Sequence, residues 1–333
     1  MATMKDVAER AGVAVETVSR VLNNRGYISE KTRRKVYDAM DELSYSPNIV
    51  ARGLSKKDMN SIAIVVPHVV HPYFAKVISR LEKECTKRHY TLFLYNSSGD
   101  SEKESNVLAL CQNSFATGVV LFSSDINPSA LKKFHIPIIT VERYIEGGTS
   151  TVMVDNELGG ELAAQHLVER GCRNILFLGT NLTSDMPGDN REKGFVGAAA
   201  KAGVTCSIYR GSENDFDSME YYAFIQRALS ENPDVDGIFA TSDLVAAKVI
   251  QVCSRIGKSI PGDIKLIGFD DVELARLTNP TLTTIHQPLQ EMAAKVLDLI
   301  EDARAGRAVP ERTIMPVSLV ERESTQDGIK ICH

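Results

Sequence analysis

A short helical pattern near the amino terminus carries a polar face that could bind a partner. In the stretch AGVAVETVSRVLNN, residues 11–24, the apolar side chains recur at helical spacing and are predicted to face inward. Glu16, Arg20 and Asn23 then lie together on the opposite face, at i, i+4 and i+7. This face could be an ordinary surface ion pair between Glu16 and Arg20. It could equally read bases in the major groove of DNA, with Arg20 on guanine, Glu16 on cytosine and Val15 on a thymine methyl group.

A second set of polar and aromatic side chains comes directly after predicted strands. The carboxyl ends of parallel strands line the ligand cleft of a doubly wound fold. These positions are Tyr73 and Phe74 after SIAIVVP, Glu142 after PIITV, Asp155 after TVMV, Ser242 and Asp243 after GIFAT, and Asp270 after KLIGF. Carboxylates that converge with one arginine suit a hydroxyl-rich ligand, because each can hold neighbouring hydroxyls in fixed geometry. Residues of these types are also common helix caps and turn formers, so both roles stay open for each.

The usual signatures of catalysis and of metal binding are missing from the sequence. GFVGAAAKAG, residues 194–203, lacks the spacing of a dinucleotide-binding loop, and its small residues are predicted to allow close helix packing. There is no Walker loop and no GxSxG elbow. His68 with His71, and Cys85 with His89, each lack a third metal ligand. We therefore expect no catalysis, no cofactor and no metal site.

Length and charge favour a protein of several domains with one basic end. The 333 residues exceed one ordinary core, and 43% of them are apolar and 24% charged. Residues 1–60 hold 11 Lys and Arg against 8 Asp and Glu, whereas the rest of the chain holds 27 against 35. A basic amino-terminal segment (residues 1–60, the basic head) joined to an acidic remainder favours an anionic partner at the amino-terminal end. With no signal peptide, no membrane-length apolar run and six scattered cysteines, we expect a cytoplasmic protein without disulfides or membrane attachment.

Three short helices are predicted in the basic head. Thr3 can cap the first, which Gly12 ends, and the second carries the polar face. The third starts near Ser29 and stops before Ser46 and Pro47. Three such helices with a tight glycine turn between the first two predict a helix-turn-helix over residues 1–47.

A linker at residues 48–60 combines basic side chains with a single apolar one. Asn48 can cap a short helical turn, and Leu54 lies among arginine and lysine residues. Leu54 could dock against a neighbouring domain. It could also be a wedge that enters between base steps in the minor groove of DNA.

From residue 61 onwards, short apolar runs alternate with helical patterns, which predicts an α/β fold with parallel strands. The predicted strands are SIAIVVP, TLFLYN, GVVLFSS, PIITVE, NILFLGT, CSIYRG, GIFATSD and KLIGFDD, and helices are predicted near 188–203, 217–231 and 243–257. The pattern runs twice, so we predict two doubly wound lobes. TTIHQP and a helix near 288–306 are predicted to cross back to the first lobe, and SLVERES to return to the second. The lobes then comprise about 61–158 with 285–316, and about 159–284 with 317–326.

The order and spacing of these segments resemble a known family. KDVAERAGVAVETVSRVLNN, then ISEKTRRKVYDAMDELSYSPNIVARGL, then a long α/β body is similar to the LacI/GalR family of bacterial transcriptional regulators over essentially the whole chain. The resemblance implies a helix-turn-helix DNA-binding domain joined to a two-lobed, periplasmic-binding-protein-like effector domain. It implies a repressor that binds a pseudo-palindromic operator as a homodimer, with operator affinity controlled by a small molecule in the cleft between the lobes.

The same resemblance implies roles for individual residues at the DNA. Val15, Glu16 and Arg20 would read bases, Thr17, Ser19 and Asn23 would contact the DNA backbone or support the helix, and Ala51 and Leu54 of the hinge would enter the minor groove beside Asn48. Residue 14 departs from the pattern, because the family usually has a Ser that caps the recognition helix and this chain has Ala14. The missing cap costs roughly 1 kcal/mol of helix stability.

The resemblance also maps an effector pocket onto this chain. Its residues are Phe74, Arg191 and Asp270, with Asp155 and Ser242 as further candidates. Sugar-responsive relatives often have Asn at the position of Ser242, and Glu142 is longer than the usual Asp. The chain has no tryptophan, so Tyr73, Phe74 or Phe269 would stack on a sugar ring. A sugar or sugar derivative is the expected effector. The alternative effectors are a purine and the phosphorylated phosphocarrier protein HPr. The alternative function is that of a small-molecule binding protein or an enzyme on the same two-lobed fold.

Overall fold

The computed structural model describes most of the chain, in two compact units. The described residues are 2–22, 25–45, 60–113, 116–122, 131, 133–145, 149–180 and 189–326. One unit comprises residues 1–59 and the other residues 60–333. Four residues with expected DNA contacts, Asn23, Asn48, Ala51 and Leu54, lie outside the described residues, so their roles stay predictions.

The described part of the amino-terminal unit contains three helices: α1 (Met4–Ala11), α2 (Val15–Leu22) and α3 (Glu30–Glu42). The Thr3 hydroxyl accepts from the Asp6 N–H, and the Asp6 carboxylate accepts from the Thr3 N–H, which gives α1 a reciprocal cap. Gly12 ends α1 in the left-handed conformation, with φ of 63°. The apolar core that joins the helices consists of Val7, Ala8, Ala11, Val18, Val21, Val36 and Ala39. The predicted helix-turn-helix is therefore confirmed.

The larger unit alternates strands and helices, as the apolar runs predict. Its strands are β1 (Ser61–Val66), β2 (Thr91–Asn96), β3 (Gly118–Leu121), β4 (Ile138–Val141), β5 (Ser150–Val154), β6 (Asn174–Thr180), β7 (Thr205–Gly211), β8 (Gly237–Ala240), β9 (Lys265–Asp270), β10 (Thr283–His286), β11 (Arg312–Met315) and β12 (Ser318–Val320). Its helices are α4 (Pro72–Lys87), α5 (Ser101–Asn113), α6 (Asn156–Glu169), α7 (Asp189–Ala202), α8 (Glu213–Ser218), α9 (Tyr222–Glu231), α10 (Asp243–Arg255), α11 (Leu274–Leu277) and α12 (Leu289–Arg304).

The strands form two six-stranded sheets, one in each lobe. The first sheet has the order β11-β5-β4-β3-β1-β2, and its pairs are parallel. The second has the order β12-β10-β9-β8-β6-β7 and is parallel except where β12 pairs with β10. The strand order reverses between β1 and β3, and again between β6 and β8. Ligands bind beside such switch points, at the carboxyl ends of the strands.

Three segments cross between the lobes: β5 to α6, β10 to α12, and β11 to β12. One expectation is corrected here. TTIHQP is predicted to cross back to the first lobe, but Thr283–His286 forms β10, which pairs with β9 and β12 in the second sheet. The crossing therefore begins at Gln287, after the strand. The helix predicted near 217–231 is also divided, because Met219 has a left-handed φ of 55° between α8 and α9.

The central strands of both sheets are buried, which explains their continuous apolar runs in the sequence, whereas the edge strand β2 is largely exposed. All six residues of β1 are buried. One buried cluster runs through both lobes, from Ile62 and Ile64 of β1 to Phe239 and Phe269 of the second sheet. The strand ends that carry the cleft residues are therefore set on a rigid core. Within the described ranges, no helix is both long and apolar enough to cross a membrane.

Candidate functional site

Helix α2 presents its polar face to solvent. Its inner valines are buried in the core of the small unit, whereas Glu16 and Arg20 are exposed and Val15 is 38% exposed. Arg20 Nε donates to the backbone oxygen of Arg25 at 3.4 Å, rather than to Glu16 four residues away. The structure thus disfavours a surface ion pair between Glu16 and Arg20. Both side chains are accessible to a DNA groove.

The start of α2 is held by backbone hydrogen bonds. Thr17 and Ser19 are half-buried at the edges of the polar face. The exposed Ala14 precedes α2, and its backbone oxygen accepts from the N–H of Thr17 at 2.9 Å and of Val18 at 3.2 Å. Its methyl group has no oxygen, so it cannot accept an N–H bond as a Ser cap would.

Arg191, near the start of α7, connects the strand ends that border the cleft. Its Nε donates to Asn156 Oδ1 at 2.7 Å, and its Nη1 donates to the backbone oxygen of Thr241 at 2.7 Å. The guanidinium lies 3.6 Å from the centroid of the Phe269 ring. Its Nη2 is 3.9 Å from Glu142 Oε2 of the first lobe. One side chain therefore ties the first lobe, a crossover segment and the second sheet together.

Glu142 braces the first crossover. Its Oε1 accepts from the N–H of Val154 at 2.7 Å, and its Oε2 accepts from Asn156 Nδ2 at 2.9 Å. The longer side chain of Glu, compared with Asp, is what reaches these two donors. Burial raises the pKa of Glu142, and the charge of Arg191 opposes the rise. Each oxygen accepts one protein donor, so bracing is the role that the structure shows, and the expected effector contact stays a prediction. Glu142 holds Asn156, which in turn positions Arg191.

Three buried polar groups border the cleft with hydrogen-bonding capacity to spare. Asp270 Oδ1 accepts from Gln287 Nε2 at 2.7 Å. Gln287 Oε1 and the Tyr73 hydroxyl are buried and have no hydrogen-bond partner among the described residues. Burial, followed by the charge of Asp243, raises the pKa of Asp270 well above its ordinary 3.8. Burial is also the main cause of the raised pKa of Tyr73, with smaller contributions from the carboxylates of Glu142 and Asp270. An unpaired buried polar atom costs roughly 1–3 kcal/mol, so a partner that reached these two atoms would be bound favourably.

The remaining strand-end residues act as caps or braces. Asp155 accepts a backbone N–H in the first turn of α6 at 3.0 Å, and Ser242 does the same in α10 at 3.2 Å. Asp243 is fully buried, and its oxygens accept from Thr284 Oγ1 at 2.5 Å and from the N–H of Val272 at 2.8 Å. Burial raises the pKa of Asp243 to about 7. Asp243 thus fastens α10 to β10 and to the segment after β9. Its expected effector contact stays a prediction.

Aromatic side chains of the two lobes meet across the cleft. The ring centroid of Phe216, on α8, lies 5.4 Å from that of His68 and 6.1 Å from that of His71. His71 lies 5.5 Å from Phe74, and its Nδ1 accepts from the N–H of Tyr73 at the start of α4. Burial lowers the pKa of His71 to about 4, so this cap is neutral at physiological pH.

The sequence interpretation missed Gln287, His68 and Phe216 as cleft residues. Phe216 and the HPYF motif are far apart in the chain, and neither belongs to a pattern that would link them. Phe269, one of three aromatic residues proposed to stack on a sugar, is fully buried with Arg191 over its ring. Among the described residues, no group of three or more His, Cys, Asp and Glu side chains could hold a metal ion.

Two protein-family models match the chain. The model described as bacterial regulatory proteins, lacI family, matches residues 3–48, which include the three helices of the small unit. The model of a periplasmic binding protein-like domain matches residues 164–325 of the two-lobed unit.

Similar proteins extend over nearly the whole chain. The HTH-type transcriptional repressor PurR of Edwardsiella ictaluri is 35% identical over 335 residues, which cover 98% of each chain. The ribose operon repressor of Halalkalibacterium halodurans is 32% identical over 329 residues, again 98% of each chain. A solved structure of a periplasmic binding protein/LacI transcriptional regulator from Alkaliphilus metalliredigens, complexed with D-xylulofuranose, is 29% identical with a TM-score of 0.72. The match covers 80% of this chain and 100% of that chain.

Proposed function

Because this chain belongs to the lacI family of bacterial regulatory proteins, we propose that it binds a pseudo-palindromic operator as a homodimer and that a neutral sugar in the interlobe cleft controls this binding. The chain is a DNA-binding transcriptional repressor with an effector-binding domain. One short recognition helix reads only a few base pairs, so two copies are needed for a site of operator length. The protein acts on DNA in the cytoplasm, and it does not catalyse a reaction of its bound effector.

We assign base reading to the exposed face of α2. Arg20 is long enough for a bidentate pair with guanine, Glu16 accepts from cytosine, and Val15 offers an apolar contact to thymine. Thr17 and Ser19 contact the DNA backbone or support the helix. Asn23, Asn48, Ala51 and Leu54 complete the interface in the roles that the family resemblance implies.

Replacing Arg20 with Ala is expected to remove sequence discrimination at one base pair of each half-site. The loss is about 1–3 kcal/mol per contacted base pair, because a bidentate pair distinguishes guanine from the other bases. Competition gel shifts with single-base operator variants measure it. Lys57→Ala, in the basic linker, is the control and is expected to weaken all duplexes alike. An unchanged ranking of operator variants in Arg20→Ala would remove Arg20 from base reading.

The observation that carries the effector proposal is the pair of unpartnered buried atoms, Gln287 Oε1 and the Tyr73 hydroxyl. Gln287 Oε1 can only accept, so a ligand must bring a donor to it. The Tyr73 hydroxyl can donate or accept, and so can the Asp270 carboxyl group, whose pKa burial raises well above 3.8. The ligand must therefore offer donors and acceptors close together. Adjacent sugar hydroxyls supply donors and acceptors together, and the half-buried ring of Phe216 offers apolar surface to a sugar ring.

The charge of the cleft favours a neutral sugar over a phosphorylated one. Glu142 and Asp270 are acidic, and the nearby Arg191 already donates to Asn156 and Thr241. Arg191 is the guanidinium that the described residues place beside these two carboxyl groups, so a phosphate would have to compete for bonds that hold the cleft together. One relative is a ribose operon repressor, and one structural neighbour holds D-xylulofuranose. These similarities support a pentose, whereas the likeness to PurR supports a purine.

Thermal unfolding of the full chain with separate candidate ligands tests the effector class. The panel contains D-ribose, D-xylulose, ribose 5-phosphate, hypoxanthine, guanine and phosphorylated HPr. A neutral pentose is expected to stabilise the folded protein, by about 2.7 kcal/mol at a hundred times its Kd. Stabilisation by hypoxanthine or guanine alone would replace the sugar with a purine. Stabilisation by HPr alone would replace it with a protein corepressor.

A further inference from the structure

Lys76, on helix α4 of the first lobe, reaches the second lobe. Lys76 Nζ donates to the backbone oxygen of Asp271, directly after β9. Burial lowers the pKa of Lys76, and the negative charges of Asp271 and Asp243 oppose this. The ammonium is therefore partly desolvated and faces acidic side chains of the opposite lobe.

The second lobe holds Asp271 firmly in place. Its Oδ1 accepts from Arg322 Nη2 at 2.5 Å, and its Oδ2 lies 2.9 Å from His286 Nδ1. His286 ends β10 just before the second crossover, and Arg322 follows β12 just after the third. Asp270 and Asp271 have φ of 107° and 50°, a strained left-handed turn that the surrounding hydrogen bonds stabilise. The carbonyl that Lys76 reaches is thus fixed relative to the second lobe and to two crossovers.

We propose that Lys76 is an interlobe latch, which holds the lobes closed and sets the fraction of empty protein in the binding-competent form. Opening the cleft separates α4 from β9 and breaks the bond between Lys76 and Asp271. The bonds of Asp271 to Arg322 and His286 lie within the second lobe and its crossovers, so they are kept. A hydrogen bond from a charged donor is expected to shift the ratio of closed to open protein about tenfold. Since only the closed form completes the site, apparent effector affinity falls with the closed fraction.

Hydrogen exchange of the full chain without any effector tests the latch. In Lys76→Met, which keeps the length of the side chain and removes its charge, peptides covering 72–78 and 268–277 are expected to exchange faster than in the wild type. Lys83→Met is the matched control, because Lys83 is exposed on the same helix, and it is expected to leave exchange unchanged. Lys76→Arg keeps a charged donor and is expected to restore slow exchange.

Two outcomes would overturn the latch. One is wild-type exchange at both cleft peptides in Lys76→Met. The other is faster exchange that extends equally to the buried strand β8, because this would show a general loss of stability instead of lobe opening.

A second experiment tests whether the latch affects effector binding, and it rests on the proposed function. D-ribose is the probe, and Lys76→Met is expected to bind it about tenfold more weakly than the wild type or Lys83→Met. Equal affinity in all three would contradict the control of effector binding by the latch. If the wild type binds no pentose, the sugar assignment fails, whereas the exchange experiment still decides whether Lys76 holds the lobes closed.

Discussion

Replacing Arg191 with Met is expected to abolish effector binding and to destabilise the empty protein by about 3–5 kcal/mol. The substitution leaves Asn156 Oδ1 and the backbone oxygen of Thr241 without the Arg191 donors. It also removes the guanidinium that the described residues place near Glu142 and Asp270. Methionine fills a similar volume, so the effect reports lost charge and hydrogen bonds more than an empty cavity. Thermal unfolding with and without D-ribose measures both consequences.

Lys193→Met is the matched control for this experiment. Lys193 lies on the same helix, α7, but is 68% exposed, and its pair with Glu157 at 2.8 Å is solvated. A pair of this kind contributes at most about 1 kcal/mol. If Arg191→Met and Lys193→Met unfold at the same temperature, Arg191 is not the structural centre of the cleft.

The destabilisation by Arg191→Met is also expected to depend on pH. Burial raises the pKa of Glu142 above its ordinary 4.5, and Arg191 opposes that rise. Without Arg191 the pKa rises further, so the folded variant binds more protons than the unfolded chain in the range above pH 4.5. Stability then falls as pH increases through this range. The difference from the wild type should be larger at pH 8 than at pH 5, and the opposite trend would contradict the assigned electrostatics.

Two glycines of one helix are expected to respond to Ala with opposite signs. A Cβ on Gly194 would lie 1.9 Å from the backbone oxygen of Glu157 and 3.0 Å from the N–H nitrogen of Glu161, both on α6. Backbone atoms cannot move aside singly, so α6 and α7 must separate, at a cost of about 3 kcal/mol or more. A Cβ on Gly197 would have no neighbour within 4 Å. Gly197→Ala is therefore expected to stabilise the helix by roughly 0.5–1 kcal/mol.

Denaturant unfolding of the two variants measures this difference. The close packing matters for the site, because α6 begins with Asn156 and α7 carries Arg191, and these residues share a hydrogen bond. Gly194→Ala should therefore also weaken effector binding, whereas Gly197→Ala should not. Similar losses of stability in both variants would show that the contact between α6 and α7 is looser than the structure indicates.

The sequence predicts most of the fold because buried parallel strands leave a simple signal. Strands covered on both faces read as continuous apolar runs, as in β1, and each predicted run from SIAIVVP to KLIGFDD forms a strand. The close packing predicted for GFVGAAAKAG is confirmed at Gly194. The assignment of TTIHQP to a lobe was beyond local reasoning, since it depends on pairing with β12, far along the chain. The break between α8 and α9 occurs at Met219, where no glycine in the sequence predicts a left-handed residue.

The cleft is less predictable than the fold. Arg191 and Asp270 could be placed there from the family resemblance, and the structure positions them near one another. Asp243 is ambiguous from the sequence because an acid after a strand can equally be a buried brace, and only its two donors reveal that bracing role. Phe216, Gln287 and Lys76 act through contacts between distant elements. Such contacts leave no periodicity in the sequence.

Operator affinity with and without the effector is the measurement that decides whether the cleft controls the DNA-binding helix. A duplex obtained by in vitro selection serves as the operator, and fluorescence anisotropy of the full chain gives its Kd. The measurement is repeated with a saturating concentration of a pentose that raises the unfolding temperature of the protein. We expect the Kd to change by about 5-fold to 150-fold, the usual range of allosteric coupling, and Arg191→Met to lose that change while it still binds the duplex. An operator Kd that stays the same with the cleft occupied would contradict effector control.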